Sequence, residues 1–351
     1  MPLLARMVAC PLSVDVGGGA VAALGTLLSD RRISSHGHVA LVVGPGQGER
    51  IVGVVRPGLE HADIYPVEGG TLQAALALAD ALRTGSYDAV VGIGGGRTLD
   101  VAKYAASLTG LPMVAVAISL AHDGIASPVA SLEHDGRKGS YGVHIPIAVV
   151  VDLDYVRASP AQHLRSGVGD VLSNLSALAD WELASRERGE RKDGLAAALA
   201  RAGAESLLHR RDDTASDAFL TALAEALVLS GLAMAVAGSS RPCSGACHEI
   251  SHAIDVLYPG TATHGEQVAV GALFASFVRG DEMLGALDAA LRHYGVPRLP
   301  RELGLTDEQF TAAAVHAPST RPERYTILEH GAMSEDEIRA QVHDFADAFD
   351  R

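Results

Sequence analysis

Aromatic residues make up 4% of the 351 residues, with a single tryptophan. Alanine and leucine dominate instead, which favours helix packing. Cysteine is as scarce: Cys10, Cys243 and Cys247 form an odd, sparse set that excludes a disulfide framework and fits a reducing compartment. No uninterrupted apolar run approaches the roughly 20 residues a membrane helix needs, and the N-terminus lacks the layout of a signal peptide. Positive charge is in deficit, with 28 Lys and Arg against 42 Asp and Glu, a net charge of −14. Nucleic acid and anionic membrane surfaces require a basic face to displace counterions, so both are excluded as partners. Any phosphate must be met by local donors. These absences predict a cytoplasmic protein, without membrane insertion, that handles a small molecule.

What is present is ordinary globular composition, 48% hydrophobic and 20% charged. Single cores stop growing at about 250–300 residues, so the length predicts two domains. Short apolar runs at Leu12–Val16, Val39–Val43, Asp63–Val67, Ala89–Ile93, Met113–Ile118 and Ile147–Val151 read as strands. The middle ones are nearly continuous in apolar residues, as buried parallel strands are. Most are followed by glycine turns or Ala/Leu helices, which predicts a Rossmann-like parallel sheet with its ligand crevice at the carboxyl ends of the strands. After about Asp154 the strand signal stops. Val171–Arg188, Leu195–Leu208, Ala215–Ala237, His248–Leu257, Val268–Phe277 and Met283–Tyr294 read as helices. The expectation is an α/β nucleotide-binding domain over 1–156 and an all-α metal- and substrate-binding domain over 157–351, with the break near Ser159-Pro160. The charge run Arg186–Asp193 reads as a solvated helix end.

Gly94-Gly95-Gly96 follows the strand Ala89–Ile93 and opens a helical pattern over Thr98–Ala106. Glycines at a strand-to-helix turn let backbone amides approach a ligand, and a helix N-terminus adds about half a positive charge there. A pyrophosphate is the natural occupant. Asp100 and Lys103 share one helix face, either lining a cofactor cleft or pairing with each other. The earlier turn Gly44-Pro45-Gly46-Gln47-Gly48 does not fit G-x-G-x-x-G, so the binding mode departs from the usual dinucleotide fingerprint.

His248-Glu249-Ile250-Ser251-His252 satisfies H-E-x-x-H, which on a helix places two imidazoles on one face as zinc peptidases require, with Glu249 as general base. That reading leaves the α/β half without a role. The competing set takes His248, the carboxylate of Asp170, which is read as opening a helix after Gly167-Val168-Gly169, and His264. A carboxylate and two imidazoles leave coordination positions open for a substrate oxygen. Asn174 then lies one turn beyond Asp170, and His252 faces the substrate. Cys243 and Cys247 are read as packing residues.

Five blocks in sequence order carry a resemblance. They are Gly94-Gly95-Gly96-x-x-x-Asp100-x-x-Lys103; His122-Asp123-Gly124-Ile125-Ala126-Ser127-Pro128; Gly169-Asp170-x-x-Ser173-Asn174 with Asp180-Trp181; Ser240-Arg241-Pro242-x-Ser244-Gly245; and Arg321-Pro322-x-Arg324-Tyr325-Thr326-Ile327-Leu328-Glu329. Together they resemble the sn-glycerol-1-phosphate dehydrogenases of the iron-containing alcohol dehydrogenase and dehydroquinate synthase-like superfamily. The resemblance implies NAD(H)- or NADP(H)-dependent reduction of dihydroxyacetone phosphate, usually with Zn2+, and an even-numbered homo-oligomer. It implies metal ligands Asp170, His248 and His264, catalytic and substrate-contacting roles for Asp123 and His252, and a substrate contact at Asn174. Gly94, Gly95, Gly96, Asp100, Lys103, Ser119 and Ser127 are the implied cofactor-binding set.

Two positions depart from the family pattern. Cys247 stands where a glutamate normally precedes the first histidine, and Ala117-Ile118 stands where Pro-Thr is usual, so Ile118 brings no hydroxyl to the cofactor. The runner-up readings are a sugar-phosphate cyclase of the same superfamily, the zinc peptidase, and a catalytically idle binding protein. A cyclase needs additional basic residues, and the helical half offers few obvious clusters of them.

Overall fold

The computed structural model describes residues 8–59 and 61–350; residues 1–7, read above for a targeting signal, lie outside the described residues. The chain divides into two compact units, one ending at Pro160 and one beginning at Ala161.

The first unit contains eight strands among the described residues, β1 (Ser13–Gly17), β2 (Val39–Val43), β3 (Ala62–Pro66), β4 (Ala89–Gly94), β5 (Met113–Ala117), β6 (Val129–His134), β7 (Arg137–Gly142) and β8 (Ala148–Asp152). Its helices are α1 (Leu24–Leu28), α2 (Gln47–Val55), α3 (Leu72–Thr84), α4 (Gly96–Thr109) and α5 (Leu153–Arg157). Six strands form one parallel sheet in the order β1-β8-β5-β4-β2-β3, with Leu41 opposite Val91 and Val91 opposite Val114. Every residue of β2, β4, β5 and β8 is buried, which is why those runs are apolar without alternation. All six expected strands occur within a residue or two of their predicted bounds. The β6–β7 hairpin was not anticipated, because Arg137–Gly142 is polar. Its signal is the turn Asp135-Gly136, both residues at positive φ (51° and 73°).

The second unit is helical: α6 (Ala161–Arg188), α7 (Gly194–Leu208), α8 (Asp217–Ala237), α9 (Ala246–Leu257), α10 (His264–Arg279), α11 (Leu284–His293), α12 (Asp307–Thr320) and α13 (Glu335–Phe349). α6 begins ten residues before the predicted Val171, so Asp170 sits inside this helix and does not open it. The misreading came from Gly167 and Gly169, which lie inside the helix, Gly169 at a close crossing. A Cβ on Gly169 would lie 2.2 Å from the Gly265 carbonyl oxygen, and one on Gly265 would lie 1.7 Å from that of Ser166. Backbone thus meets backbone where α6 crosses the start of α10.

Glu225 interrupts the apolar run of α8, yet its mean hydropathy is 2.0 over a window long enough to span a bilayer. That window is 67% buried, and α8 packs against α7 and α6. Apolarity on all sides marks it as a core helix. The charge run is largely exposed, as expected of a solvated helix end, with one exception. α6 ends at Arg188, Gly189 turns with φ 68°, and Glu190 forms an ion pair with the buried Arg241.

Candidate metal centre and nucleotide turn

In the helical unit, the side chains of Asp170 (α6), His248 (α9) and His264 (α10) converge, with one ligand atom from each lying within 4.8 Å of the others. Both imidazoles present Nε2 to the same carboxylate oxygen, Asp170 Oδ1, at 3.8 Å from His248 and 3.9 Å from His264. Their ring centroids are 5.0 Å apart. The helix crossings create this convergence. The Gly169–Gly265 contact brings the residues after Gly169 and before Gly265 together, and Gly271, whose Cβ would lie 2.9 Å from the Cys247 carbonyl oxygen, lets α10 approach α9 equally closely.

Counting protons fixes the tautomer of His264. Gln267 donates from Nε2 to Asp255 Oδ1 (3.2 Å), which turns its Oε1 to Ser251. The Ser251 hydroxyl donates its one proton to Gln267 Oε1 at 2.6 Å. It must therefore accept from His264 Nδ1 at 3.1 Å, which leaves the Nε2 lone pair facing Asp170. His248 has a parallel arrangement: its Nδ1 lies 3.3 Å from Cys247 Sγ, and that thiol is directed at the Ser173 carbonyl at 4.0 Å. Burial pushes the Cys247 thiol up to about 12, so it is neutral and can accept from Nδ1–H. Cys247 is thus more than a packing residue.

Burial, then the charges of His264, His252, Arg321 and Arg324, hold His248 well below the usual histidine range. A neutral imidazole with Nε2 free is what metal ligation needs. The donor set of one carboxylate oxygen and two imidazole nitrogens therefore fits a divalent ion.

The peptidase reading fails on geometry. Glu249 is fully buried, and its Oε2 lies 3.0 Å from Thr326 Oγ1, away from any position a catalytic base could use. Thr326 donates its proton to Glu329 Oε2 at 2.7 Å and accepts from Leu328 N at 3.2 Å. Its remaining lone pair suits a protonated Glu249. Consistent with this, burial, and then the charges of Glu329 and Asp180, raise Glu249 to about 8. His252 stands outside the three-residue set, its ring 6.5 Å from that of His248.

Asn174 is buried on α6 and donates its amide to Ser230 Oγ at 2.8 Å. The scattered basic residues of the helical half are also gathered by the fold. Arg324 hydrogen-bonds the Ser244 carbonyl and Ser240 Oγ, and both Arg321 and Arg241 act on it electrostatically. Their separation in sequence, 80 residues, hid this cluster.

In the first unit, the glycine triplet lies at the end of β4 and the start of α4. Two of its members have steric reasons: a Cβ on Gly94 would meet Thr98 at 2.7 Å, and one on Gly96 would meet His122 Nε2 at 2.0 Å. Gly95 has none, since its nearest neighbour would be Ser119 Oγ at an ordinary 3.5 Å. Gly95 and the buried Ser119 therefore border the turn with room to spare.

The other implied cofactor residues have structural partners. Lys103 is buried against Asp100 at 3.0 Å and donates to the carbonyls of Gly124 (2.8 Å) and Val129 (2.5 Å). Ser127 is buried with its hydroxyl on the Val129 carbonyl at 3.3 Å. Ile118 packs on the sheet core. Asp123 begins a short 3-10 turn at Asp123–Ile125, capped by His122, whose Nδ1 accepts from Gly124 N at 3.0 Å.

The sequence model of the iron-containing alcohol dehydrogenases matches residues 15–160, close to the whole of the first unit. Solved structures share the fold throughout. A probable glycerol dehydrogenase from Sinorhizobium meliloti superposes with a TM-score of 0.78 at 22% identity, covering 99% of both chains. Glycerol dehydrogenase from Schizosaccharomyces pombe gives 0.76 at 20% identity, over 99% of this chain and 91% of that one. These likenesses show a shared fold, and the matching family model sets the first unit among the iron-containing alcohol dehydrogenases. Sequence comparison narrows it. The glycerol-1-phosphate dehydrogenase [NAD(P)+] of Hyperthermus butylicus is 34% identical over 92% of this chain and 94% of its own. That of Methanosarcina acetivorans is 36% identical, over 93% of each. The chain belongs to the glycerol-1-phosphate dehydrogenase family.

Proposed function

We propose that this protein interconverts dihydroxyacetone phosphate and sn-glycerol 1-phosphate with NAD(H) or NADP(H), using one divalent ion, Zn2+ by preference, held by Asp170, His248 and His264. The observation that carries the reading is the approach of those three ligand atoms to within 4.8 Å, with both imidazoles presenting Nε2. The nicotinamide supplies the hydride and the ion supplies Lewis-acid polarisation of the substrate carbonyl.

The chain's own residues do the rest. Asp170 holds the ion with its carboxylate while Cys247 and Ser251 keep His248 and His264 in the ligating tautomer. The amides of the Gly94–Gly96 turn, at the N-terminus of α4, receive the cofactor pyrophosphate. Reduction leaves the new hydroxyl oxygen in need of a proton, which the imidazole of His252, one turn beyond His248, delivers; the Asp123 carboxyl is the alternative donor. Asn174, tied to Ser230, borders the substrate side of α6. The protein acts in the cytoplasm, as an even-numbered oligomer.

The test is an NADH and NADPH oxidation assay with dihydroxyacetone phosphate, alongside metal analysis and determination of product configuration. Formation of sn-glycerol 1-phosphate by metal-loaded enzyme supports the reading. Asp170→Ala and His264→Ala should each lose metal and turnover together, and full activity with bound metal in either variant refutes the ligand assignment.

A further inference from the structure

Around one loop, this chain of net charge −14 gathers four arginines: Arg188, Arg241, Arg321 and Arg324. The loop runs from Arg321, directly after α12, to His330. Three of the four have protein duties. Arg188 stacks on the Tyr325 ring at 4.5 Å. Arg241 forms a two-pronged ion pair with Glu190 and donates to the Tyr325 carbonyl at 3.1 Å. Arg324 joins the loop to the segment before α9 through the Ser244 carbonyl and Ser240 Oγ (3.0 Å).

Arg321 differs, because no hydrogen bond or ion pair engages its half-buried side chain among the described residues. Donor capacity exceeds supply elsewhere in the group as well, since Arg241 Nη1 is buried with no acceptor. Opposing carboxylates are few. Glu190 is already paired, Glu323 is exposed, and Glu249 and Glu329 are turned to Thr326.

The group lies beside the candidate metal centre. Thr320, adjacent to Arg321, gives its hydroxyl proton to the Ala317 carbonyl at 2.7 Å and lies 3.5 Å from the Glu249 carbonyl, which sets the head of the loop against α9 one residue beyond His248. Arg324, through the Ser244 carbonyl, is bonded four residues before His248. Crowded guanidiniums repel one another, and Arg324 is depressed to about 10 by burial and by the charges of Arg321 and Arg241. An anion placed among them relieves that repulsion. A phosphate monoester, with close to two charges at neutral pH and three acceptor oxygens, answers this better than a carboxylate, and the guanidinium fork suits it.

We infer that Arg321 binds the phosphate of the substrate, with Arg324 and Arg241 reinforcing the field, so that this loop selects phosphorylated over unphosphorylated ketones at the adjoining metal centre. The inference deepens the reading above and rests on it for the identity of the phosphate's carrier. Two measurements on the full-length protein separate them. In the first, inorganic phosphate is titrated calorimetrically into wild-type protein, Arg321→Gln and Arg321→Lys. Wild type should bind, Arg321→Gln should bind about ten- to a hundredfold more weakly, the scale of a charge-assisted contact, and Arg321→Lys should fall between. The variants should melt with wild type, since Arg321 gives up no protein partner.

In the second, the ratio of kcat/KM for dihydroxyacetone phosphate over dihydroxyacetone is compared between wild type and Arg321→Gln, and should fall at least about tenfold. Absence of phosphate binding in wild type, or equal binding in Arg321→Gln, overturns the anion assignment. Wild type that prefers the phosphorylated ketone with a ratio Arg321→Gln does not move also overturns it, while keeping the function. Wild type that binds phosphate through Arg321 yet reduces neither ketone supports the assignment and contradicts the function.

Discussion

The two units build their candidate sites in opposite ways. In the sheet unit the candidate nucleotide turn is made of consecutive residues, Gly94 to Gly96, and its geometry follows from a strand meeting a helix. In the helical unit the candidate metal centre is made of Asp170, His248 and His264 on three helices, at crossings where glycines let those helices touch backbone to backbone. A local site tolerates change in its surroundings, whereas an assembled site inherits the tolerances of every helix crossing behind it.

Substitution of the crossing glycines is the strongest way to break this comparison. An interior helical Gly→Ala change ordinarily stabilises by about 1 kcal/mol, but the new Cβ in Gly265→Ala would lie 1.7 Å from the Ser166 carbonyl oxygen, and in Gly169→Ala 2.2 Å from that of Gly265. Both variants should therefore lose about 1–3 kcal/mol in a denaturant melt and lose metal as well. Wild-type metal affinity in either one would show that the crossing does not set the centre. Gly95→Ala is the counterpart in the sheet unit, where the Cβ meets nothing closer than 3.5 Å. It should melt with wild type while the Michaelis constant for the cofactor rises about tenfold, the cost of a methyl group where backbone must meet pyrophosphate. An unchanged Michaelis constant would remove the turn from the cofactor site.

The groups that orient the imidazoles come next in size. Ser251→Ala and Cys247→Ala each remove the acceptor for a ligating histidine's Nδ1–H, and should weaken metal binding about 10- to 100-fold in chelator competition. Cys247→Ser, which keeps an acceptor, should recover most of it. Equal affinity in all three would mean that packing alone holds the rings.

Legibility followed the same division. The parallel strands were readable because burial on both faces demands apolar runs, and the glycine triplet because its members are neighbours. The candidate ligands Asp170, His248 and His264 were read from residue type and then from motif resemblance, while the physical reason for their meeting was misread: Gly167 and Gly169 look like a loop until α10 is seen against Gly169. Arg321 and Arg324 stood in a motif block but signalled no cluster, since Arg241 is far away in sequence. The H-E-x-x-H pattern misled because sequence shows that Glu249 shares a helix with His248 but not that its carboxyl is turned inward to Thr326.

Glu249 sharpens that last point. Its carboxyl is raised from the ordinary 4.5 to about 8. Between those values the unfolded chain has released the proton and the folded chain retains it, so this group's contribution to stability is full below about 4.5 and declines as pH rises toward about 8. Glu249→Gln, neutral at every pH, should flatten that decline in melts taken across the window and keep most dehydrogenase turnover. An unchanged slope would place the titration elsewhere, and complete loss of turnover with the fold intact would return Glu249 to the chemistry.

The most direct test of the metal centre is an anomalous difference map at the zinc edge from crystals grown with Zn2+. The geometry predicts one strong peak at about 2.0–2.2 Å from an Asp170 carboxylate oxygen and from Nε2 of both His248 and His264. A peak ligated by His248 and His252 with Asp170 left out, or no peak at this position, would contradict it.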